Sequence, residues 1–101
     1  MNMNKLMKQA QQMQKKMAEA QEKLKEVEIE VSVGGGMVTA KMNGANELLS
    51  ITIEDELINK EEKDMLRDLI VSAVNQANEK IEEKKKEELG KVTGGMNIPG
   101  M

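Results

Sequence analysis

The sequence predicts an α+β protein with the element order α-β-β-β-α. Apolar residues recur every three or four positions over the first 27 residues, which is typical of a helix. They then alternate with polar residues through three short segments, which is typical of strands, and afterwards return to helical spacing. Turns containing glycine or asparagine separate the short segments, so we expect a three-stranded antiparallel meander and two long helices.

The first helix is expected from about Asn2 to Lys25. Its apolar residues follow an a/d heptad pattern, here called the seam: Met3, Leu6, Ala10, Met13, Met17, Ala20, Leu24 and Val27. A seam of this kind packs either against its own chain or against the same helix in a dimer. Because methionine and alanine pack adaptably, the sequence leaves both alternatives open, and both can hold along one helix.

The three alternating segments are expected to form strands at about residues 27–33, 37–42 and 47–54. Side chains of one alternating set face the core, and in the third strand these are Leu49, Ile51 and Ile53. Gly34-Gly35-Gly36 is expected to form the first hairpin loop, because glycine adopts positive φ without steric cost. Asn43-Gly44 predicts the second turn.

The second helix is expected after Asn59 and Glu62, whose spacing resembles a capping box. A wide apolar stripe indicates a helix facing the core: Met65, Leu66, Leu69, Ile70, Ala73, Val74, Ala77 and Ile81. The charged stretch that follows is expected to continue the helix beyond the body, through pairs such as Glu82 with Lys86. Gly90 is the expected C-cap. Residues 1–90 then form one domain, and residues 91–101 a flexible tail containing glycine and proline.

Composition excludes several classes of function. The 101 residues include no cysteine, histidine or aromatic residue, which excludes disulfides, thiolate chemistry, histidine catalysis and stacking of bases on aromatic rings. No motif assembles a nucleophile with a base, and the acidic cluster Glu54-Asp55-Glu56 lacks the glycine turn of a calcium loop. We therefore expect no enzyme activity, no cofactor, no metal and no small-molecule substrate.

The expected setting is the cytoplasm, and the expected assembly is a homodimer. No apolar segment is long enough to span a membrane, and the N-terminus lacks the apolar core of a secretory signal, so no membrane partner is expected. A small chain has a thin core, and a three-stranded sheet leaves open edges. Pairing of two copies through sheets or helices would remedy both.

Positive charge is concentrated at the start of the first helix, on a chain that is acidic overall. The chain has a formal net charge of −3, yet residues 1–18 contain four lysines and no acidic residue. This layout opposes the helix dipole, so helix stability does not explain it. Lys5, Lys8 and Lys15 share one face and Lys16 flanks the seam, which makes these four the best candidates for phosphate contacts. From charge alone, a solvated helix face that aids solubility is the favoured alternative, and contact with DNA is favoured only together with the family resemblance described below.

Lys84 and Lys85 belong to a second candidate set, which also includes Lys80, Lys86 and Lys91. Neighbouring glutamates almost cancel these charges, so a solvated charged helix end is the favoured alternative there.

Residues 28–64 contain nine acidic residues and three lysines, a net charge of −6 that repels DNA. Binding is therefore expected to be local and salt-sensitive, and because lysine does not read guanine bidentately, weakly sequence-specific.

Several motifs together resemble the YbaB/EbfC family of nucleoid-associated proteins. The motifs that carry the resemblance are Met7-Lys8-Gln9-Ala10-Gln11-Gln12-Met13-Gln14, Gly34-Gly35-Gly36-Met37-Val38, Met42-Asn43-Gly44, Asp68-Leu69-Ile70 with Ala73 and Asn75, and Val92-Thr93-Gly94-Gly95-Met96. They cover nearly the whole chain in the right order.

The resemblance implies a small bacterial, cytoplasmic, nonenzymatic protein. It implies α-β-β-β-α protomers that form a tweezer-like homodimer with protruding helices, and binding to double-stranded DNA in the nucleoid. Effects on nucleoid organisation and gene expression would follow from such binding. The alternative hypothesis is a protein-interaction module that docks the methionine-rich first helix into a partner.

Overall fold

The computed structural model describes residues 2–94 and has the predicted order of elements. These are α1 Met3–Glu26, β1 Glu28–Val33, β2 Val38–Asn43, β3 Leu48–Ile53, a one-turn 3-10 helix Asp55–Leu57, and α2 Lys63–Gly94. The prediction of an α+β chain with two long helices is confirmed. Most of the predicted tail, residues 95–101, lies outside the described residues.

The three strands form one antiparallel sheet in the order β1-β2-β3, which confirms the predicted meander. Gly34, Gly35 and Gly36 have φ values of 62°, 67° and 95°, so this loop uses backbone conformations that favour glycine. The second connection also turns where predicted, since the Asn46 amide donates to the Asn43 carbonyl at 3.0 Å.

Strand β3 contains an irregularity that the sequence pattern did not predict. Lys41 pairs with Ser50, but the next residue, Met42, pairs with Leu48, so Leu49 is an extra residue in β3. Leu49 was predicted to face the core, and this is wrong, because the residue is 43% exposed. Ile51 and Ile53 are half-buried and pack against the core, as predicted.

The core lies between the inner face of the sheet and α2. Val38 and Ala40 of β2 and Ala73, Ala77 and Ile81 of α2 are fully buried. Helix α2 packs on β1 and β2 and makes few contacts with β3, so the inner face of β3 is only partly covered.

The start of α2 matches the prediction and its end does not. The Glu62 amide donates to Asn59 Oδ1 at 2.9 Å, so Asn59 holds the turn that leads into α2 at Lys63, which is half of the predicted capping-box pattern. The helix continues past Gly90 to Gly94, so the predicted C-cap at Gly90 is wrong. Glycine inside a helix costs only about 1 kcal/mol relative to alanine, and the packing of this end against α1 offsets such a cost.

The charged end of α2 continues the helix past Ile81, as predicted, but its packing on α1 was not predicted. It packs antiparallel to the C-terminal half of α1, where Ala20 and Leu24 are buried. Its ion pairs are spaced by three residues, and Glu82 pairs with Lys85 at 3.4 Å rather than with Lys86. The seam of α1 is thus intramolecular in its C-terminal half.

The N-terminal half of α1 extends away from the rest of the protein. Met3 and Leu6 are 72% and 48% exposed, although both belong to the seam. The Cα radius of gyration is 19.7 Å, compared with about 13 Å for a compact chain of this length. Among residues 2–94, no helix combines the length and apolar character needed to cross a bilayer.

Candidate nucleic-acid interface

The projecting part of α1, Met3–Ala18, is here called the arm. All its residues are exposed except Met13 and Met17, which are half-buried. It carries Lys5, Lys8, Lys15 and Lys16 and no acidic residue. Within residues 2–94, none of these four lysines forms a salt bridge. Their charge is therefore available to an external anion.

Three of the arm lysines share the side of α1 opposite the seam. Lys8 and Lys15 are two helical turns apart, about 10.5 Å along the axis, and Lys5 lies one turn before Lys8. A lysine ammonium is a compact charge on a flexible stem, suited to phosphate oxygens rather than to planar bidentate contacts. The lysines of this face can therefore follow a phosphate backbone without themselves reading its sequence.

Lys16 lies in a different environment. It lines a groove of about 420 Å³ between α1 and the last turns of α2, together with Glu19, Ala20, Lys23, Glu88, Lys91 and Val92. Lys91 is paired with Glu88 at 3.2 Å, so part of the positive charge in this groove is already neutralised. The structure thus places Lys16 beside, and not within, the stripe formed by Lys5, Lys8 and Lys15.

Lys84 and Lys85, the candidates on α2, are both paired. Lys84 lies 3.7 Å from Glu87, and Lys85 lies 3.4 Å from Glu82. Lys85 also donates to Asn46 Oδ1, and only 29% of its side chain is exposed. These two lysines pair with residues of α2 and of the β2–β3 turn, so their charges are partly neutralised within the protein.

Sequence reasoning missed a polar cluster around Asn46 that fixes the β2–β3 turn to α2. Asn46 has a φ of 61° and donates through Nδ2 to Asn78 Oδ1 at 2.6 Å and to Glu82 Oε1 at 3.1 Å. The hydrogen bond from Asn46, together with the hydrogen bond and charge of Lys85, lowers the pKa of Glu82 below its ordinary value. The sequence signal that could have indicated this cluster is an asparagine in a turn, because asparagine tolerates the left-handed backbone conformation.

The same turn also holds the end of α1. The Gly44 amide donates to the Val27 carbonyl at 3.0 Å, and Gly44 lies directly against the backbone of Leu24. The turn therefore contacts both helices near the base of the arm, α1 through Gly44 and α2 through Asn46.

Comparisons with known proteins agree on one family. The model of the YbaB/EbfC DNA-binding family matches residues 1–96. A nucleoid-associated protein of Alkaliphilus metalliredigens is 52% identical over 100 residues, which span 99% of this chain and 88% of the relative. One from Clostridium novyi is 50% identical over 101 residues, covering 100% of this chain and 89% of the relative.

A solved structure has the same fold. The crystal structure of the uncharacterized protein HP0035 from Helicobacter pylori matches with a TM-score of 0.77 and 31% sequence identity. The match covers 86% of this chain and 91% of that protein.

Proposed function

The chain belongs to the YbaB/EbfC DNA-binding family, as its motifs predict, and we propose that it is a nucleoid-associated protein whose arm binds duplex DNA. Binding occurs mainly through phosphate contacts, has low sequence specificity, and contributes to nucleoid organisation in the cytoplasm. The observation that carries this proposal is the arm itself, an exposed helix segment with four lysines, no acid and no internal ion pair.

Charge separation supports binding by the arm rather than by the whole surface. Residues 28–64, which include the sheet, have a net charge of −6 and repel DNA. Arg67, the only arginine of the chain, is 3.2 Å from Asp68 and 3.6 Å from Asp64, so it is not free for guanine recognition. DNA is therefore contacted locally, at the end of the molecule away from the acidic body.

A homodimer is part of the proposal. The outer edge of β3 has no neighbouring strand among residues 2–94, and Leu48 and Leu49 on this strand are 45% and 43% exposed. The inner face of β3 is only partly covered by α2. A second copy would cover this apolar edge and would supply a second arm, which doubles the number of phosphate contacts on one duplex.

A second candidate function rests on the exposed part of the seam. Met3 and Leu6 of the seam, and Met7 beside it, are between 48% and 72% exposed, and such a strip can dock into an apolar groove of a partner protein. In that case the arm lysines aid solubility, and the chain acts as a protein-interaction module. Binding to DNA at low salt separates the two candidates.

The test is fluorescence anisotropy with a labelled duplex of about three helical turns, titrated at several salt concentrations. The variant K5E/K8E reverses two arm charges, and K60E/K63E reverses two exposed lysines of the acidic body with the same change in net charge. We expect K5E/K8E to weaken binding at least about tenfold and to reduce the salt slope by about one for each phosphate that the arm no longer neutralises. K60E/K63E should have a much smaller effect.

Equal weakening in the two variants would exclude the arm as the DNA site. If the wild-type protein binds no duplex even at low salt, DNA binding is wrong and the protein-interaction function is favoured. Circular dichroism of both variants checks that helix content is unchanged.

A further inference from the structure

The side of the arm opposite the seam, here called the outer face, contains only lysines and amides. Its members are Asn4, Lys5, Lys8, Gln11, Gln12 and Lys15. All six are exposed. A face that served only solubility could contain any polar residue, including acids, and the same face does carry Glu19 and Glu22 closer to the body. The composition of the outer face therefore suggests one kind of ligand, polyanionic and hydrogen-bonding.

Gln11 and Gln12 lie between two lysines. Together with Lys8 and Lys15 they line a shallow groove along the helix. In the part of the chain from residue 2 to residue 94, neither glutamine side chain makes a hydrogen bond. Both amide groups are thus free to pair with a ligand that the flanking lysines hold in place.

Duplex DNA matches this arrangement. Its major groove is about 12 Å wide and admits an α-helix, with phosphates along both rims. Gln11 and Gln12 lie on either side of the line that joins Lys8 to Lys15, so all four side chains enter the groove together when this face turns toward the DNA. The long lysine stems can then reach phosphate oxygens while the glutamine amides reach base edges. A glutamine amide carries one acceptor and a donor group, which complement N6–H and N7 of adenine.

We propose that Gln11 and Gln12 contact adenine in the major groove and give the arm a modest preference for A·T pairs. This inference rests on the proposed binding of DNA by the arm and adds a base-directed contact to it. The preference is small, about fivefold, because it corresponds to the low end of the discrimination that one bidentate contact provides. Phosphate contacts still supply most of the affinity.

The experiment compares binding of the full chain to three duplexes of equal length, built from A·T, G·C or inosine·cytosine pairs. Inosine·cytosine presents the major-groove pattern of G·C, but it lacks the guanine amino group in the minor groove and there resembles A·T. We expect A·T to be preferred about fivefold over both other duplexes. Equal affinity for A·T and inosine·cytosine would overturn the proposal, because the preference would then come from the minor groove or from DNA shape.

Two variants test the residues. Q11A/Q12A should lose the A·T preference and keep its affinity for G·C within about twofold, since the lysines remain. Q9A/Q14A is the matched control, because Gln9 and Gln14 flank the seam instead of the outer face, and it should keep the preference. A preference that survives in Q11A/Q12A would contradict the assignment.

Failure of this inference differs from failure of the proposed function. If the wild-type protein binds all three duplexes equally, only the base contact is wrong. If it binds none of them at low salt, the DNA-binding function itself is wrong, and the base contact with it.

Discussion

Gly44 lies in the β2–β3 turn, directly against the backbone of α1. A Cβ atom at this position would overlap the carbonyl oxygen of Leu24, and that atom belongs to backbone that cannot move aside easily. We predict that Gly44→Ala lowers the free energy of unfolding by about 3 kcal/mol, in the range of severe overpacking. Urea denaturation measures the change.

Gly90 provides the control for that substitution. It lies inside α2, and a Cβ added there meets no atom within 4 Å. Gly90→Ala should therefore raise stability by up to about 1 kcal/mol, because alanine is the better helix former. Similar effects of the two substitutions would contradict the role given to Gly44 at the junction.

Glu82 should make stability depend on pH in the acid range. Its pKa is lowered from an ordinary value of 4.5, first by the hydrogen bond from Asn46 and then by Lys85. A carboxyl with a lowered pKa in the folded state stabilises the fold above its unfolded pKa, and this contribution disappears as the pH falls through the folded pKa. We predict that Glu82→Gln is less stable than the wild type at neutral pH and that the difference shrinks below pH 4.5.

Urea unfolding from neutral pH down to about pH 3 tests this dependence. Glu83→Gln is the matched control, since within the described chain Glu83 forms no salt bridge. A difference between wild type and Glu82→Gln that stays constant over the whole range would show that the charge of Glu82 contributes nothing to the fold.

The elements were predictable from sequence where short-range patterns determine them. Alternation located all three strands, and Asn59 located the start of α2, because both signals act over a few residues. Leu49 was assigned to the wrong face because a bulge adds one residue without changing the apolar pattern. The end of α2 was missed because its packing against α1 depends on residues that are far away in the sequence.

The candidate site was predictable only in part, for the same reason. The cluster of lysines on α1 is visible in the sequence, and the structure leaves those lysines unpaired among residues 2–94. The pairing of Lys85 was not visible, because it depends on Asn46, which is 39 residues away and belongs to a turn. Local spacing identifies charged faces, whereas tertiary contacts decide which charges are free.

The seam of α1 is packed in the C-terminal half of the helix and exposed in the N-terminal half. One leucine in each half shows the difference. Leu24 is 4% exposed and Leu6 is 48% exposed. We predict that Leu24→Ala lowers the free energy of unfolding by about 2–4 kcal/mol, whereas Leu6→Ala changes it by less than about 0.5 kcal/mol. Urea denaturation at equal protein concentration measures both. Equal destabilisation would mean that the arm is packed against something in solution.

At the scale of the whole molecule, the proposed homodimer would determine how many arms reach one duplex. We predict that L48E/L49E converts the protein to a monomer at micromolar concentration, because charges on the open β3 edge oppose its burial. L6E is the matched control, since it places a charge at an equally exposed apolar site on the arm, and it should remain dimeric. Sedimentation velocity measures both.

Dissociation of the dimer in L6E and not in L48E/L49E would place the dimer contact along the seam of α1. If the wild-type protein is a monomer at micromolar concentration, the proposed homodimer is wrong and each molecule brings only one arm to the DNA. A dimer that engages about four to six phosphates should lose affinity as roughly the fourth to fifth power of salt concentration, and a monomer should show about half that slope.

The claim that DNA is contacted by the arm is tested most directly by locating the contact. The protein is 11.3 kDa per chain, so backbone amide spectra can be assigned and followed while a short duplex is added. We predict that chemical-shift changes concentrate in residues 3–18 and leave the sheet and the start of α2 unchanged. Changes centred on the sheet, or on Lys84 and Lys85 with the arm unaffected, would contradict the account.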